Sequence, residues 1–218
     1  MRKAESEDFR RLRTLVRLIS IMNGCRGADI GPVPVAALHT IAYFADALSP
    51  IWDVPVIEGQ LLKKKRVPVN PELQGGIDEL VGRAVLFARN VRHVYVDGAW
   101  SLDADYDLNL VFGKRIIEAM SRDREFRKEL AFVQEVVLAL AGLGLPGLSN
   151  AAQADATYSD PNIDVGGIID LSNTEVLTRT SQVTNQFSEL LGRQHRLTEA
   201  EVTHLYIRHL YSVLGGRN

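Results

Sequence analysis

Alternating acidic side chains form the first candidate for a chemical site. Residues 103–109 place an aspartate or asparagine at every second position, as the first half of a calcium-binding loop does. A complete loop also needs glycine at its sixth position and glutamate at its twelfth, where this chain has Leu108 and Lys114. The calcium interpretation therefore fails, and we predict a solvated acidic loop.

The histidines and the cysteine indicate no other site. His204 and His209 lie five residues apart, so a helix would place them on different faces and they would not share one zinc ion. His39 falls in an apolar helical pattern and is interpreted as a core residue. The sequence places no base beside Cys25, so we expect an unreactive thiol.

Enzyme motifs are also missing from the sequence. The chain contains no P-loop, no glycine-rich dinucleotide fingerprint, no nucleophile elbow and no zinc-protease helix. We therefore predict a protein that is not an enzyme, with no catalytic residues, no cofactor and no metal ion. An active site of unrecognised class could still lie in the polar segment 155–164. The Asp, Ser, Pro and Asn residues of this segment also build turns, which is the interpretation that we favour.

Two basic clusters are candidates for contact with nucleic acid or with an acidic partner. They are Arg10, Arg13 and Arg17 in the first helical pattern, and Lys63, Lys64, Lys65 and Arg66 in a proline-flanked segment. Side chains of this kind neutralise phosphate groups. Runs of charge are also ordinary solvated surface, so both interpretations stay open.

The overall composition is that of a soluble globular protein. Of the 218 residues, 46% are hydrophobic and 24% are charged, and the net charge is -2. A chain so close to neutral does not coat nucleic acid by bulk electrostatics. A single cysteine favours a reducing compartment, and no segment has the pattern of a signal peptide or a membrane span. These features predict a cytoplasmic protein without membrane contact.

The first half of the chain predicts a winged-helix-like region over residues 1–112. Apolar spacing and turn signals indicate helices over residues 7–23, 35–48 and 77–88, followed by strands over residues 91–96 and 99–102. The Asp97-Gly98 pair is a strong signal for the turn of a β-hairpin. The predicted fold class is therefore mainly α with a small β-hairpin wing.

The second half predicts a helical region over residues 113–218. The predicted elements are a helix over 114–140 with a break near 122–123, a connection over 142–150, a short helix and polar loop over 151–171 that ends in a strand or helical turn, and helices over 175–191 and 198–214. Thr198 and Glu201 form a capping box at the start of the last helix.

A winged helix binds nucleic acid in some proteins and only other proteins in others. Here Asp97 lies at the predicted tip of the wing, and the acidic residues 103–107 follow it. Negative charge at this place opposes phosphate binding, so the protein-binding use is favoured.

Several segments carry a resemblance to a known family. They are residues 37–46, the helix and wing block 76–107, the loop 156–161, Thr180-Ser181 and Phe187. With these segments the chain resembles the small middle component of bacterial three-component ABC systems, the Lamassu type of antiphage defence.

The resemblance implies a non-catalytic adaptor subunit. Such a subunit bridges an SMC-like ABC ATPase and an effector, usually a nuclease, which acts when the complex senses foreign DNA. It also implies that part of the apolar surface is interface rather than core. The alternative that the residues themselves leave open is a winged-helix DNA-binding transcriptional regulator.

Overall fold

The chain folds into eight α-helices and six strands over the residues that the structure describes. The computed structural model describes residues 7–57, 59–65, 67–96, 98–172, 177–191 and 197–215. The helices are α1 (Glu7–Gly27), α2 (Val35–Ala47), α3 (Pro71–Gly82), α4 (Leu110–Met120), α5 (Arg124–Ala141), α6 (Gly144–Ala154), α7 (Arg179–Leu191) and α8 (Glu199–Gly215). The strands are β1 (Val33–Pro34), β2 (Gln60–Lys63), β3 (Pro68–Val69), β4 (Leu86–Val96), β5 (Ala99–Leu108) and β6 (Ile168–Asp170).

Two small antiparallel sheets accompany the helices. One has the strand order β1-β5-β4, with the long hairpin β4-β5 paired from Leu86–Leu108 at its base to Val96–Ala99 at its tip. The other has the order β3-β2-β6, in which β2 pairs with β6 from the second half of the chain. The fold is thus mainly helical with small antiparallel sheets, which confirms the predicted mainly-α class with a β-hairpin.

One hydrophobic core runs through both halves of the chain. Helix α1 packs along α5, α2 packs on α5 and α6, and α8 packs on α5. Leu18 of α1, Phe44 of α2 and Val137 of α5 are all inaccessible to solvent and belong to the same cluster. The predicted boundary between residues 112 and 113 therefore does not separate two cores.

Capping side chains set several helix starts. Asp123 accepts hydrogen bonds from the backbone N–H groups of Glu125 and Phe126 and begins α5, which confirms the predicted break after α4. Thr198 and Glu201 form the expected reciprocal capping box, in which each side chain accepts from the other residue's backbone N–H.

Three predicted elements are wrong. The third helix, predicted over 77–88, spans Pro71–Gly82 and is capped by the Asn70 side chain, so residues 86–88 already belong to β4. The acidic residues 103–107 lie in strand β5 and not in a loop. Residues 142–150 are mostly helical, because α6 starts at Gly144 despite Pro146, which its first turn tolerates.

The guanidinium of Arg17 lies inside the helical core. Its side chain is 2% exposed and pairs with Asp46 of α2, at 3.0 Å from Nη1 to Oδ1, and with Glu129 of α5. Nη2 also donates to the Pro55 carbonyl, and the guanidinium lies 5.5 Å from the centre of the Phe132 ring. The two carboxylates raise the pKa of Arg17 although burial lowers it. The predicted phosphate contact of Arg17 is therefore wrong, since its donors are used internally.

No helix within the described residues is long and apolar enough to cross a membrane.

Replacing Arg17 by methionine tests this ion-pair cluster. Arg17→Met leaves the carboxylates of Asp46 and Glu129 buried without their cation, so we expect the free energy of unfolding to fall by about 3–5 kcal/mol. Urea denaturation measures it. Arg10→Met, an exposed position on the same helix, is the control and should leave the midpoint nearly unchanged. Equal stability of Arg17→Met and the wild type would contradict the role assigned to this cluster.

Candidate functional site

The other predicted contact residues of α1, Arg10 and Arg13, lie on its N-terminal part. Arg10 is exposed, and the half-buried Arg13 extends over the Phe9 ring at 5.6 Å from its centre. Between them, Arg11 donates to Glu79 of α3 at 2.6 Å. Of the predicted α1 cluster, Arg10 and Arg13 therefore remain candidates for contact with phosphate.

The lysine run lies at the end of β2 and in the turn after it. Lys63 is partly buried, and its Nζ donates to the carbonyl groups of Asp160 at 2.8 Å and of Ile163 at 2.7 Å. Lys64 and Lys65 are exposed. Arg66 lies outside the described residues. Lys63 therefore holds the polar segment 155–164 in place, and Lys64 and Lys65 are the described members of this cluster that face solvent.

The polar segment is organised around one buried carboxylate. Asp155 is inaccessible to solvent and accepts hydrogen bonds from three hydroxyl groups, those of Tyr43, Tyr206 at 2.5 Å and Thr180 at 2.9 Å. The backbone N–H groups of Thr157 and Tyr158 also donate to it, at 2.9 and 3.0 Å. Asp155 therefore joins α2, α7 and α8 at the end of α6.

Burial beside Asp155 suppresses ionisation of the tyrosines. Desolvation and the Asp155 carboxylate raise the pKa of Tyr43 and of Tyr206 well above the ordinary tyrosine value. Desolvation raises the pKa of Tyr158 to about 12, and its hydroxyl donates to the Lys64 carbonyl. Hydroxyl groups held in this way act as structural donors and not as bases. The turn interpretation of residues 155–164 therefore accounts for the geometry of the cluster.

The other predicted core groups are also internal. His39 is 7% exposed, accepts from the Asn70 N–H at Nδ1, and has its pKa lowered by burial. Cys25 is buried, and desolvation raises its pKa to about 12. Among the described residues, no group of three or more His, Cys, Asp or Glu side chains is arranged to hold a metal ion.

The hairpin β4-β5 has one polar face. Asp103, Asp105 and Asp107 alternate along β5 and lie on this face. Cross-strand partners from β4 meet all three, namely Arg92 with Asp103, Asn90 with Asp105 at 2.7 Å, and Arg89 with Asp107 at 3.4 Å. The acidic residues that suggest a calcium loop are therefore matched by donors on the neighbouring strand.

The other face of the hairpin is mostly apolar, with the exposed His93 opposite Leu102, and only half of it is covered. Near the base, Ala104 is 3% exposed and Tyr106 is 7% exposed. Towards the tip on the same face, Leu102 is 60% exposed and Trp100 is 71% exposed. Tyr95 lies directly opposite Trp100, and the two rings pack edge to face at 5.4 Å. The apolar face of the sheet thus extends beyond the body of the protein as an uncovered aromatic surface.

Helix α3 contacts strand β4 and is acidic. It carries Glu72, Asp78 and Glu79 and no lysine or arginine. The Glu79 carboxylate forms ion pairs with Arg11 and Arg83, at 2.6 and 2.8 Å from the Nε atom of each arginine. Gln74 donates to Asp78 at 2.9 Å. Burial raises the pKa of Tyr106.

We define the wing cleft as the exposed apolar surface near the tip of the hairpin. Its members are Tyr95, Trp100 and Leu102. Tyr95, Trp100 and Leu102 lie within the predicted strands 91–96 and 99–102, but the short second strand gave no face along which their exposure could be expected. The period-two alternation of Leu102, Ala104, Tyr106 and Leu108 with aspartates was the signal that could have extended the strand.

Comparison of the chain with protein-family models, with curated proteins and with solved structures gives no match.

Replacing Asp155 by asparagine tests the buried hub. Asp155→Asn keeps the size of the side chain, but it removes the charge and turns one acceptor oxygen into a donor among five donors. We expect the free energy of unfolding to fall by at least about 3 kcal/mol. Asp164→Asn, at an exposed position of the same segment, is the matched control. If the two variants unfold at the same urea concentration, Asp155 does not hold the helices together.

Alkaline unfolding tests the buried tyrosines. Below the ordinary tyrosine pKa of 10.0, the hydroxyl groups are protonated in both states and contribute no slope. Above it, the unfolded chain releases protons that the folded chain keeps, so the free energy of unfolding falls by about 1.4 kcal/mol per pH unit for each such tyrosine. Urea melts at increasing pH should show a shallower decline for Tyr158→Phe than for the wild type. Identical slopes would contradict the raised pKa of Tyr158.

Proposed function

We propose that the protein is a non-catalytic adaptor subunit that bridges an SMC-like ABC ATPase and an effector nuclease in a bacterial antiphage defence complex. The observation that supports this proposal most directly is the wing cleft. Tyr95, Trp100 and Leu102 form a contiguous exposed apolar surface, and such surfaces on soluble proteins mark contacts with other macromolecules. An adaptor requires surfaces of this kind and no reaction chemistry.

The order of elements supports a winged-helix-like first half. Helix α1, strand β1 and helix α2 come first, strands β2 and β3 follow, and α3 then leads into the hairpin β4-β5; β1 pairs with β5 beside β4. In this arrangement α3 and the hairpin form the surface that meets a partner. The proposal places partner contacts there.

The charge of that surface favours a protein partner over DNA. A helix that enters the major groove or lies along the backbone needs cationic side chains to meet phosphates. Helix α3 offers three carboxylates and no cation, and the arginines Arg89 and Arg92 of the hairpin are already paired with aspartates. A winged-helix transcriptional regulator would therefore have to contact DNA through Arg10, Arg13, Lys64 and Lys65. These residues lie on α1 and after β2, and not on α3 or the hairpin.

Co-expression tests the adaptor role. We expect the chain, produced together with the proteins encoded beside it, to elute in one complex with an ABC ATPase and a nuclease. Size-exclusion chromatography with light scattering gives the mass of the complex. A stable monomer in the presence of an adjacent ATPase subunit would contradict the proposal.

The same preparation separates the regulator from the adaptor. The regulator requires that the isolated chain binds duplex DNA, that its affinity falls as salt increases, and that Lys64→Glu with Lys65→Glu weakens it. Binding with these three properties, together with a failure to join the ATPase, would favour the regulator. The adaptor predicts that this double variant still assembles.

A further inference from the structure

We propose that one long-lived water molecule binds in a small cavity between α1, α2 and the start of α3, where it accepts a hydrogen bond from Asn70 Nδ2 and donates one to the Asp46 carboxylate. This inference goes beyond the adaptor role and does not depend on it. It assigns a solvent-binding site that links the cap of α3 to the buried ion pair of Arg17.

The orientation of the Asn70 amide is fixed by its role as a helix cap. Asn70 is 4% exposed, and its Oδ1 accepts from the backbone N–H groups of Glu72 and Leu73, at 2.8 and 3.1 Å. A rotation of the amide by half a turn would replace this acceptor with Nδ2, which can only donate. Nδ2 therefore points away from the first turn of α3 and towards the interior.

Nδ2 of Asn70 is a buried donor that the protein leaves unmatched. Within the described ranges, it is the one buried side-chain nitrogen or oxygen atom that has no hydrogen-bond partner. Buried polar groups in folded proteins are nearly always paired, either with another protein group or with an ordered water molecule. We therefore infer that the partner of Nδ2 comes from solvent.

The space beside Asn70 has the volume that one water molecule needs. Asn70 lines a cavity of about 10 Å³ together with residues of α1, α2, β2 and α3, and nine of the ten lining residues are buried. A cavity holds a water molecule from roughly 10–15 Å³ upward, provided that two to four polar partners surround it. The cavity thus has room for one water molecule and not for a larger ligand.

The charges that line the cavity favour a neutral ligand over an ion. Arg17 and Asp46 both line it and pair with each other at 3.0 Å, so neither sign of charge is in excess. A cation would meet the guanidinium and the Asn70 NH₂ group, and an anion would meet the Asp46 carboxylate. Water can accept from Nδ2 and donate to the carboxylate, whose two oxygens offer about four acceptor positions.

Asn109 provides an internal control for this site. It also caps a helix, is 8% exposed, and accepts from the Val111 N–H at 3.1 Å through Oδ1. Its Nδ2, in contrast, donates to the Ala84 carbonyl at 2.8 Å. The two asparagines differ in whether the protein supplies the partner of Nδ2, so we expect a bound water molecule beside Asn70 and none beside Asn109.

Nuclear Overhauser spectroscopy with selective excitation of water tests the inference on the full, isotope-labelled chain. We expect a direct cross-peak between water and the Nδ2 protons of Asn70, with the sign given by a water molecule that tumbles with the protein, and no such cross-peak at Asn109. Rotating-frame spectra separate a direct cross-peak from hydrogen exchange, because the two effects have opposite signs there.

A matched pair of variants locates the water molecule. Ala42 lines the cavity, and the two added methyl groups of Ala42→Val would take the place of the water molecule, so we expect the Asn70 cross-peak to disappear. The hydroxyl groups of Thr14 and Tyr43 stay in place in this variant, so a signal relayed by their exchanging protons would persist. Ala47→Val, at a buried position of the same helix that does not line the cavity, should keep the cross-peak.

Several results would overturn the inference. They are no water cross-peak at Asn70, equal cross-peaks at Asn70 and Asn109, and a cross-peak that persists in Ala42→Val. If thermal melting shows that Ala42→Val does not fold, a high-resolution crystal structure of the wild type decides the matter. A water molecule within about 3.2 Å of Asn70 Nδ2 supports the inference, and a protein group at that place contradicts it.

Discussion

The architecture depends on one buried cation, the guanidinium of Arg17. It draws Asp46 of α2 and Glu129 of α5 onto α1, and these three helices form the centre of the core. Burial of the three charges is tolerated because each is paired and hydrogen-bonded, whereas any one alone would be strongly destabilising. Because the base of the hairpin packs on α1 and α2, the orientation of the wing follows from this cluster.

A second buried charged group, the Asp155 carboxylate, also joins several helices, including the last one. Asp155 gathers hydroxyl donors from helices far apart in sequence, and Lys63 secures the neighbouring segment through carbonyl groups. Polar residues that could suggest an active site thus serve to join elements. Tyr95, Trp100 and Leu102 of the wing cleft, in contrast, are exposed and take no part in these internal networks.

The sequence predicts local structure well and long-range use of side chains poorly. The helical periodicity of α1 and α2, the hairpin signal between β4 and β5 and the Thr198 capping box are local signals, and the elements form where they indicate; Asp97 itself lies outside the described residues. Arg17 lies between Val16 and Leu18 in an apolar stretch, unlike Arg10 and Arg13, but only the approach of α2 and α5 shows that its charge is paired inside the core. Asp155 is likewise one polar residue among several until α7 and α8 bring their hydroxyl groups to it.

The central claim is that the wing cleft is an interface with protein. Hydrogen–deuterium exchange of the chain alone and within the complex isolated from its own cells tests it most directly. The account predicts slower backbone exchange on assembly in Pro71–Gly82 and in the outer half of the hairpin β4-β5. Unchanged exchange in both, with protection confined to the exposed basic residues of α1 and to the turn at Lys64 and Lys65, would contradict it.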